Sequence, residues 1–327
     1  MGVWTARFSP DGETLLSGSD DGYLIEWDVQ SGERRRVLLD PKGEEDDRPR
    51  IVDEDGREVD AGFRILRLSE RMRGSSIVST CFSPDGRRFV VGAANGQVVI
   101  WNASSRGELD AWQAHDTTVD AIAVSPDGRW LATGTLAGGG DSLSVWRMNL
   151  EHGGARTPAF SDGSHIGGVS SVCFSPDNRH VAAGGFTMSG YTGPLVYAVE
   201  SGERTAGFCY DMTRALAFAP DGKSLATGDD FGTFSIWDVA SRDRVFCGQA
   251  HADGIGALQF SPDGREVVTG SWDGRVNVWD LRWEEPRATA SFAGIVLACR
   301  FGPAAGEVLV AEAERGADRP AIHRVRL

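Results

Sequence analysis

Positive charge is scarce in this sequence. Lysine occurs only at Lys42 and Lys223, and Lys and Arg together number 33 against 47 Asp and Glu, a formal net charge of −14. A nucleic-acid-binding surface needs clustered basic residues against phosphates, so this balance argues against nucleic acid as a partner. Cysteine is also sparse. Cys81, Cys173, Cys209, Cys247 and Cys299 are widely spaced, with no C-x-x-C pair to mark a metal or redox centre. They read as small apolar residues inside strands. No apolar run approaches the roughly 18 residues of a membrane helix. The opening Met1-Gly2-Val3-Trp4 lacks the charged and apolar segments of a signal peptide. The expectation is a cytoplasmic protein with reduced thiols and no membrane contact.

Signatures of chemistry are missing too. The six histidines show no H-x-H or H-x-x-x-H spacing for a metal. There is no G-x-S-x-G elbow and no G-x-x-x-x-G-K-[ST] phosphate loop. Gly138-Gly139-Gly140 reads as a loop between strands. The reading is of a chain with no catalytic residues, no cofactor and no metal. Helical periodicity is absent throughout, which points to an all-β fold.

What the sequence has is repetition. Its 327 residues could make two domains, yet one repeat architecture absorbs them all. Ser-Pro-Asp-Gly occurs at Ser9–Gly12, Ser83–Gly86, Ser125–Gly128 and Ser261–Gly264. Near copies stand at Ser175-Pro176-Asp177-Asn178 and Ala219-Pro220-Asp221-Gly222, with a worn seventh at Gly302-Pro303. Pro sets φ for the first turn position and Gly or Asn accepts the positive φ that follows, so each copy is a tight turn. An apolar run such as Ile255 to Phe260 precedes each turn. A second strand and an Asp-Gly or Asn-Gly turn follow, as at Asp21-Gly22, Asn95-Gly96 and Asp273-Gly274. A third strand then ends on Trp27, Trp101, Trp146, Tyr197, Trp237 or Trp279. Trp112, Trp130 and Trp283 are placed in outer strands or turns, as packing residues.

Trp27-Asp28, Trp237-Asp238 and Trp279-Asp280 resemble the dipeptide that names the WD-repeat family, and the resemblance covers nearly the whole chain. It implies a seven-bladed β-propeller of four-stranded antiparallel blades, residues 1–327 forming a single domain. A lone blade has two apolar faces and hides them only by stacking around an axis. The family pattern also implies a hydrogen-bonded set of His251, Thr269, Asp273 and Trp279. An incomplete set comprises His115, Thr133 and Trp146, with Asp141 one place off the usual spacing. Phe231 stands where the fifth copy should carry Asp.

Two departures stand out. The first two turns are 74 residues apart, about 32 more than usual, leaving an acidic insertion over about 40–75 that contains Gly43-Glu44-Glu45-Asp46-Asp47. In the preferred alignment Arg34 to Leu39 is the outer strand of the first blade. In the alternative that strand is Phe63 to Leu68, which moves the insertion to the opposite face. The last blade is one outer strand short by count: either it has three strands, or the natural chain extends upstream by at least one strand.

WD-repeat proteins are similar in binding partners on the narrower face around the central channel. Aligning the copies on the residue before the turn places Trp4, Val78, Asp120, Ser170, Arg214, Gly256 and Leu297 at equivalent positions early in the first strand. Asp20, Ala94 and Trp272 precede the second turn, with Asp230 and Phe231 nearby, and the longer fourth copy adds Phe186, Met188 and Tyr191. Trp, Tyr and Arg dominate binding hot spots. The expected partner site is therefore Trp4, Asp20, Asp120, Tyr191, Arg214, Asp230, Phe231 and Trp272, its carboxylates favouring a basic or Arg-containing peptide. The leading function is a non-catalytic protein-interaction scaffold. The alternatives are a propeller enzyme (hydrolase or isomerase) with its site at the channel mouth, and one domain of a longer signalling protein.

Overall fold

The computed structural model describes residues 2–41, 72, 74–105, 108–136, 140–148, 157–165, 167–185, 193–208, 212–282, 285–314, 317 and 319–327. All described regular structure is strand, arranged as seven antiparallel blades. Blade 1 comprises β1 (Val3–Phe8), β2 (Thr14–Ser19), β3 (Leu24–Asp28) and β4 (Arg34–Leu39). Blade 2 comprises β5 (Ile77–Phe82), β6 (Arg88–Ala93), β7 (Gln97–Asn102) and β8 (Glu108–Gln113). Blade 3 follows with β9 (Ala121–Val124), β10 (Trp130–Gly134), β11 (Leu143–Arg147) and β12 (Phe160–Asp162), and blade 4 with β13 (Ser171–Phe174), β14 (His180–Gly184), β15 (Leu195–Ala198) and β16 (Arg204–Gly207). Blade 5 holds β17 (Ala215–Phe218), β18 (Ser224–Gly228), β19 (Thr233–Asp238) and β20 (Arg244–Gln249). Blade 6 holds β21 (Ile255–Phe260), β22 (Glu266–Ser271), β23 (Arg275–Asp280) and β24 (Pro286–Ser291). Blade 7 has three strands, β25 (Ile295–Phe301), β26 (Glu307–Ala313) and β27 (Ala321–Arg326).

Local chemistry builds each blade. In blade 6 the Gly264 amide donates to the Ser261 carbonyl at 2.9 Å, closing the turn. The Ser261 hydroxyl donates to Asp263 at 2.6 Å and accepts the Glu266 amide at 2.9 Å. Gly264 sits at φ +71°, and Asn178 fills the same role at 64°, as positive φ requires. The second strand then carries a glycine because the next blade lies against it. A Cβ on Gly134 would come within 2.4 Å of Val169 Cγ1.

Apolar clusters between neighbouring blades form the core. The ring closes without a shared sheet: Ala6, Leu15 and Trp27 of blade 1 pack on Ala298, Leu309 and Ala311 of blade 7. Arg300 reaches across this seam and donates to the Ser9 carbonyl and, at 3.1 Å, to that of Pro10.

The outer strand of blade 1 is Arg34–Leu39, hydrogen-bonded to β3; Phe63 to Leu68 lie outside the described residues. So does most of the acidic insertion. Its described flanks, Pro41 and Ser75, meet beside Gly22, and Ser76 Oγ donates to the Asp20 carbonyl at 2.7 Å. Trp130 requires a correction: it heads the second strand of blade 3, not an outer strand or turn, and is buried at 5% exposure beneath Arg147. Trp112 is on an outer strand, edge-on to Trp146 at 5.5 Å, and Trp283 lies outside the described residues.

Candidate functional site

The seven equivalent positions near the starts of the inner strands share one backbone device. The β1–β2 register skips Trp4, the β5–β6 register skips Val78, and the later pairs skip Gly256 and Leu297. In the other three blades the Asp120, Ser170 and Arg214 amides donate to Gly134, Gly184 and Gly228, the glycines already paired with the first strand residues. A bulge of this kind re-aims one side chain out of the pleat. Here it falls at seven equivalent positions near the starts of the inner strands, six of which carry a side chain, Gly256 being the exception.

The turns between second and third strands come up beside these bulges. The Gly2 amide donates to Asp20 Oδ2 at 3.1 Å. Arg214 Nε forms an ion pair with Asp230, and its guanidinium carbon lies 4.3 Å from the centre of the Trp272 ring. That indole crosses from blade 6 over Gly254 and Gly256, where a Cβ would stand 3.4 and 3.1 Å from it. Arg214 is thus held by charge on one side and by a π face on the other. Asp120 accepts the Leu136 amide at 2.7 Å. Burial pushes its carboxyl up to about 6, against the pull of that amide and of Arg214.

The remaining aromatics have no such cover. Trp4 is 61% exposed and Phe231 67% exposed, the only exposed Trp and Phe side chains among the described residues. Phe231 is held at its backbone: its amide donates to Asp229 at 2.9 Å and its carbonyl accepts from Gln249 at 2.7 Å. Tyr191, Phe186 and Met188 lie outside the described residues.

Histidines take structural places. His251 Nε2 meets Thr269 Oγ1 at 2.8 Å, its Nδ1 faces Asp273 at 3.3 Å, and the Trp279 indole donates to Thr269 at 3.1 Å. His115, Thr133 and Trp146 repeat the pattern at 2.9 Å for both contacts. Burial lowers the pKa of both histidines. A third member was not singled out in the sequence. His165 lies nine residues before Phe174, as His251 lies nine before Phe260, and that spacing is the signal that finds it. It is 1% exposed with no partner on either ring nitrogen among the described residues.

The chemistry this arrangement supports is recognition. Burial pushes the Cys81, Cys173 and Cys299 thiols up to about 12, which removes them as nucleophiles at neutral pH. Among the described residues no three His, Cys, Asp or Glu side chains gather as metal ligands, and no helix is long and apolar enough to cross a membrane.

Comparison with known proteins places the fold in a family. The profile described as WD domain, G-beta repeat matches residues 1–28, 107–147, 157–199 and 243–280. That of the anaphase-promoting complex subunit 4 WD40 domain matches 61–123. The chain is similar to apoptotic protease-activating factor 1 of Rattus norvegicus, 27% identical over 71% of this chain and 19% of that protein. It is similar to protein HIR1 of Kluyveromyces lactis, 24% identical over 55% and 20%. It is also similar to a guanine nucleotide-binding protein subunit beta of Lymnaea stagnalis, 27% identical over 54% and 48%. The matched stretch spans about a fifth of the first two relatives and about half of the third. Repeats matched along the chain and a ring of seven blades together make this protein a member of the WD-repeat β-propeller family.

Proposed function

We propose that this chain is a non-catalytic scaffold that binds a protein segment carrying Arg or Lys across the channel mouth. Relatives of this type are protein-interaction scaffolds, and one is by name a subunit of a larger assembly. The observation that carries the reading is the pairing of two bare aromatics with a half-buried carboxylate on one face. Trp4 and Phe231 stand on blades 1 and 5, and Asp120 lies between them on blade 3. Asp230 is already engaged by Arg214, so Asp120 is the carboxylate that receives the partner's cation, while Trp4 and Phe231 bury its apolar stem. Nucleic acid fits poorly against a molecule of this net charge.

Binding of arrayed peptides, with and without Arg or Lys, tests this. Wild type retains basic peptides, and a folded Trp4→Ala/Phe231→Ala variant loses them. A folded variant that keeps every ligand overturns the assignment of this face. The pH response is a second check. A cation at Asp120 stabilises the carboxylate, so binding expels its proton, and affinity falls about tenfold per pH unit below about 6. Asp120→Asn binds weakly at every pH and loses that slope.

A further inference from the structure

The residue just before each Ser-Pro-Asp-Gly turn aligns across the seven inner strands, and so does its predecessor. Those predecessors are Arg7, Cys81, Cys173, Gln259 and Arg300, with alanines in the two remaining blades. Each stays accessible to solvent, although the chain beside it is buried, as at Ala6. Arg7 shows why. Its side chain is exposed to solvent, although it lies close to Cys81 of blade 2 and to Cys299 of blade 7, the blades on either side of its own. Both hold together only if its side chain lies in a water-accessible passage inside the molecule, which in a closed ring of blades is the central channel.

Most of these side chains reach the neighbouring blade and are satisfied there. Gln259 Oε1 accepts the Phe301 amide at 3.0 Å. The Cys81 and Cys173 thiols lie against the backbone of Val124 and Phe218 in the next blade. Arg300 donates to the carbonyls of Ser9, Pro10 and Phe301. Arg7 is the exception. Among the described residues its one hydrogen bond is from Nη1 to the carbonyl of its own neighbour Ala6, at 3.1 Å. The charge-bearing groups around it are the thiols of Cys81 and Cys299, and no carboxylate pairs with it among the described residues. Burial keeps both thiols neutral. A guanidinium that lines a passage without a counter-charge gains from an anionic partner there, because the protein walls weaken the screening by bulk water. Its free N–H groups form the planar fork that matches an oxyanion.

We infer that the central channel is an anion site, in which the Arg7 guanidinium binds one small oxyanion of the carboxylate or phosphate type. Arg300 is committed to backbone carbonyls of the seam, so Arg7 is the holder. The site is independent of the partner-binding face and stands or falls separately from it.

Isothermal titration of the full chain with sodium phosphate, and separately with sodium acetate, at fixed ionic strength in a zwitterionic buffer tests this. The expected result is saturable binding of one equivalent per chain, weakened at least tenfold in Arg7→Gln, kept within a few-fold in Arg7→Lys, and unchanged in the surface variant Arg129→Gln. Stronger binding of phosphate than acetate assigns the site to a doubly charged oxyanion, and the reverse order assigns it to a carboxylate. Thermal unfolding gives a readout that needs no binding heat. In anion-poor buffer Arg7→Met has a higher Tm than wild type, because it removes an uncompensated charge, and added phosphate raises the wild-type Tm alone. Absence of saturable binding, equal binding by Arg7→Gln, or the same phosphate-dependent Tm rise in Arg7→Met would overturn the proposal.

Discussion

Threonine or serine in the second strand of a blade has a definite task, shown by the blades that keep it. Ser17, Thr133, Thr227 and Thr269 each accept an indole N–H from the tryptophan of the third strand, at 2.8 to 3.1 Å. Blade 2 has Val91 at this place, and the fully buried Trp101 is left with its N–H unpartnered among the described residues. Valine and threonine have the same shape, so Val91→Thr supplies the acceptor without changing the packing. We expect a gain of about 1 kcal/mol, read from the denaturant midpoint, and no gain when Trp101→Phe is already present. A gain that survives Trp101→Phe would mean that the indole is not the cause. Blade 4 shows the opposite loss. Ala183 stands where threonine should, and Tyr197 turns its hydroxyl to Asp162 of blade 3 at 3.0 Å. His165 is left buried with neither nitrogen bonded among the described residues, and burial depresses its pKa to about 4 despite nearby Asp162. The unfolded chain takes up this proton near pH 6.5. Between about 6.5 and 4 the unfolded state therefore binds a proton that the folded state refuses, and stability falls as pH falls through that window. The ceiling is about 3 kcal/mol. His165→Phe should lose less Tm than wild type between pH 7 and pH 5; an identical loss would place the acid sensitivity elsewhere.

Blades depend on surfaces that meet without slack, and the second-strand glycine is one of the tight points between them. A Cβ on Gly134 falls within 2.4 Å of Val169 Cγ1 and 3.1 Å of the Val169 carbonyl oxygen. Gly134→Ala should therefore force blades 3 and 4 apart and cost about 1–3 kcal/mol, as overpacking does. Adding Val169→Ala should recover part of that in a denaturation series; no recovery would refer the cost to the backbone instead. This scale also separates what was legible in the sequence from what was not. Turns, strand order and the count of seven blades were legible because their code is local: Ser, Pro, Asp and Gly at fixed offsets, then an aromatic 18 residues from the turn's first residue, Ser or Ala, in four copies. The seven equivalent positions near the starts of the inner strands were aligned from their distance to a turn, but that the chain bulges there was not legible. Contacts between blades did not follow. Nothing in the spacing of Arg214 and Trp272 shows that one stacks on the other, or that Trp4 stays bare while Trp272 is covered. His165 had the right spacing but had lost the partners by which its set is recognised.

At the scale of the whole molecule the question is how a ring holds together when its last blade has only three strands. The third strand of blade 6 is buried along nearly its whole length, whereas β27 has no fully buried residue, since no described fourth strand covers it. The weakness is confined to the rim. At the axis, β25 packs on β1 as the other inner strands pack on their neighbours, and the seam cluster is as apolar as those between other blades. Arg300 adds the only described side-chain hydrogen bonds linking residues about 290 positions apart, to Ser9 and Pro10. Because those carbonyls cap the first turn, this one side chain ties the end of the repeat array to its beginning. Arg300→Gln keeps a polar group of shorter reach and loses both bonds. If closure at the axis supports the whole ring, the variant should unfold in a single transition with a Tm lowered by several degrees, the loss of about 1–3 kcal/mol spread over all seven blades. Arg129→Gln, on an exposed turn of blade 3, should leave Tm unchanged. An early separate transition in Arg300→Gln would show instead that blade 7 detaches by itself, and an unchanged Tm would show that the apolar seam closes the ring without the arginine.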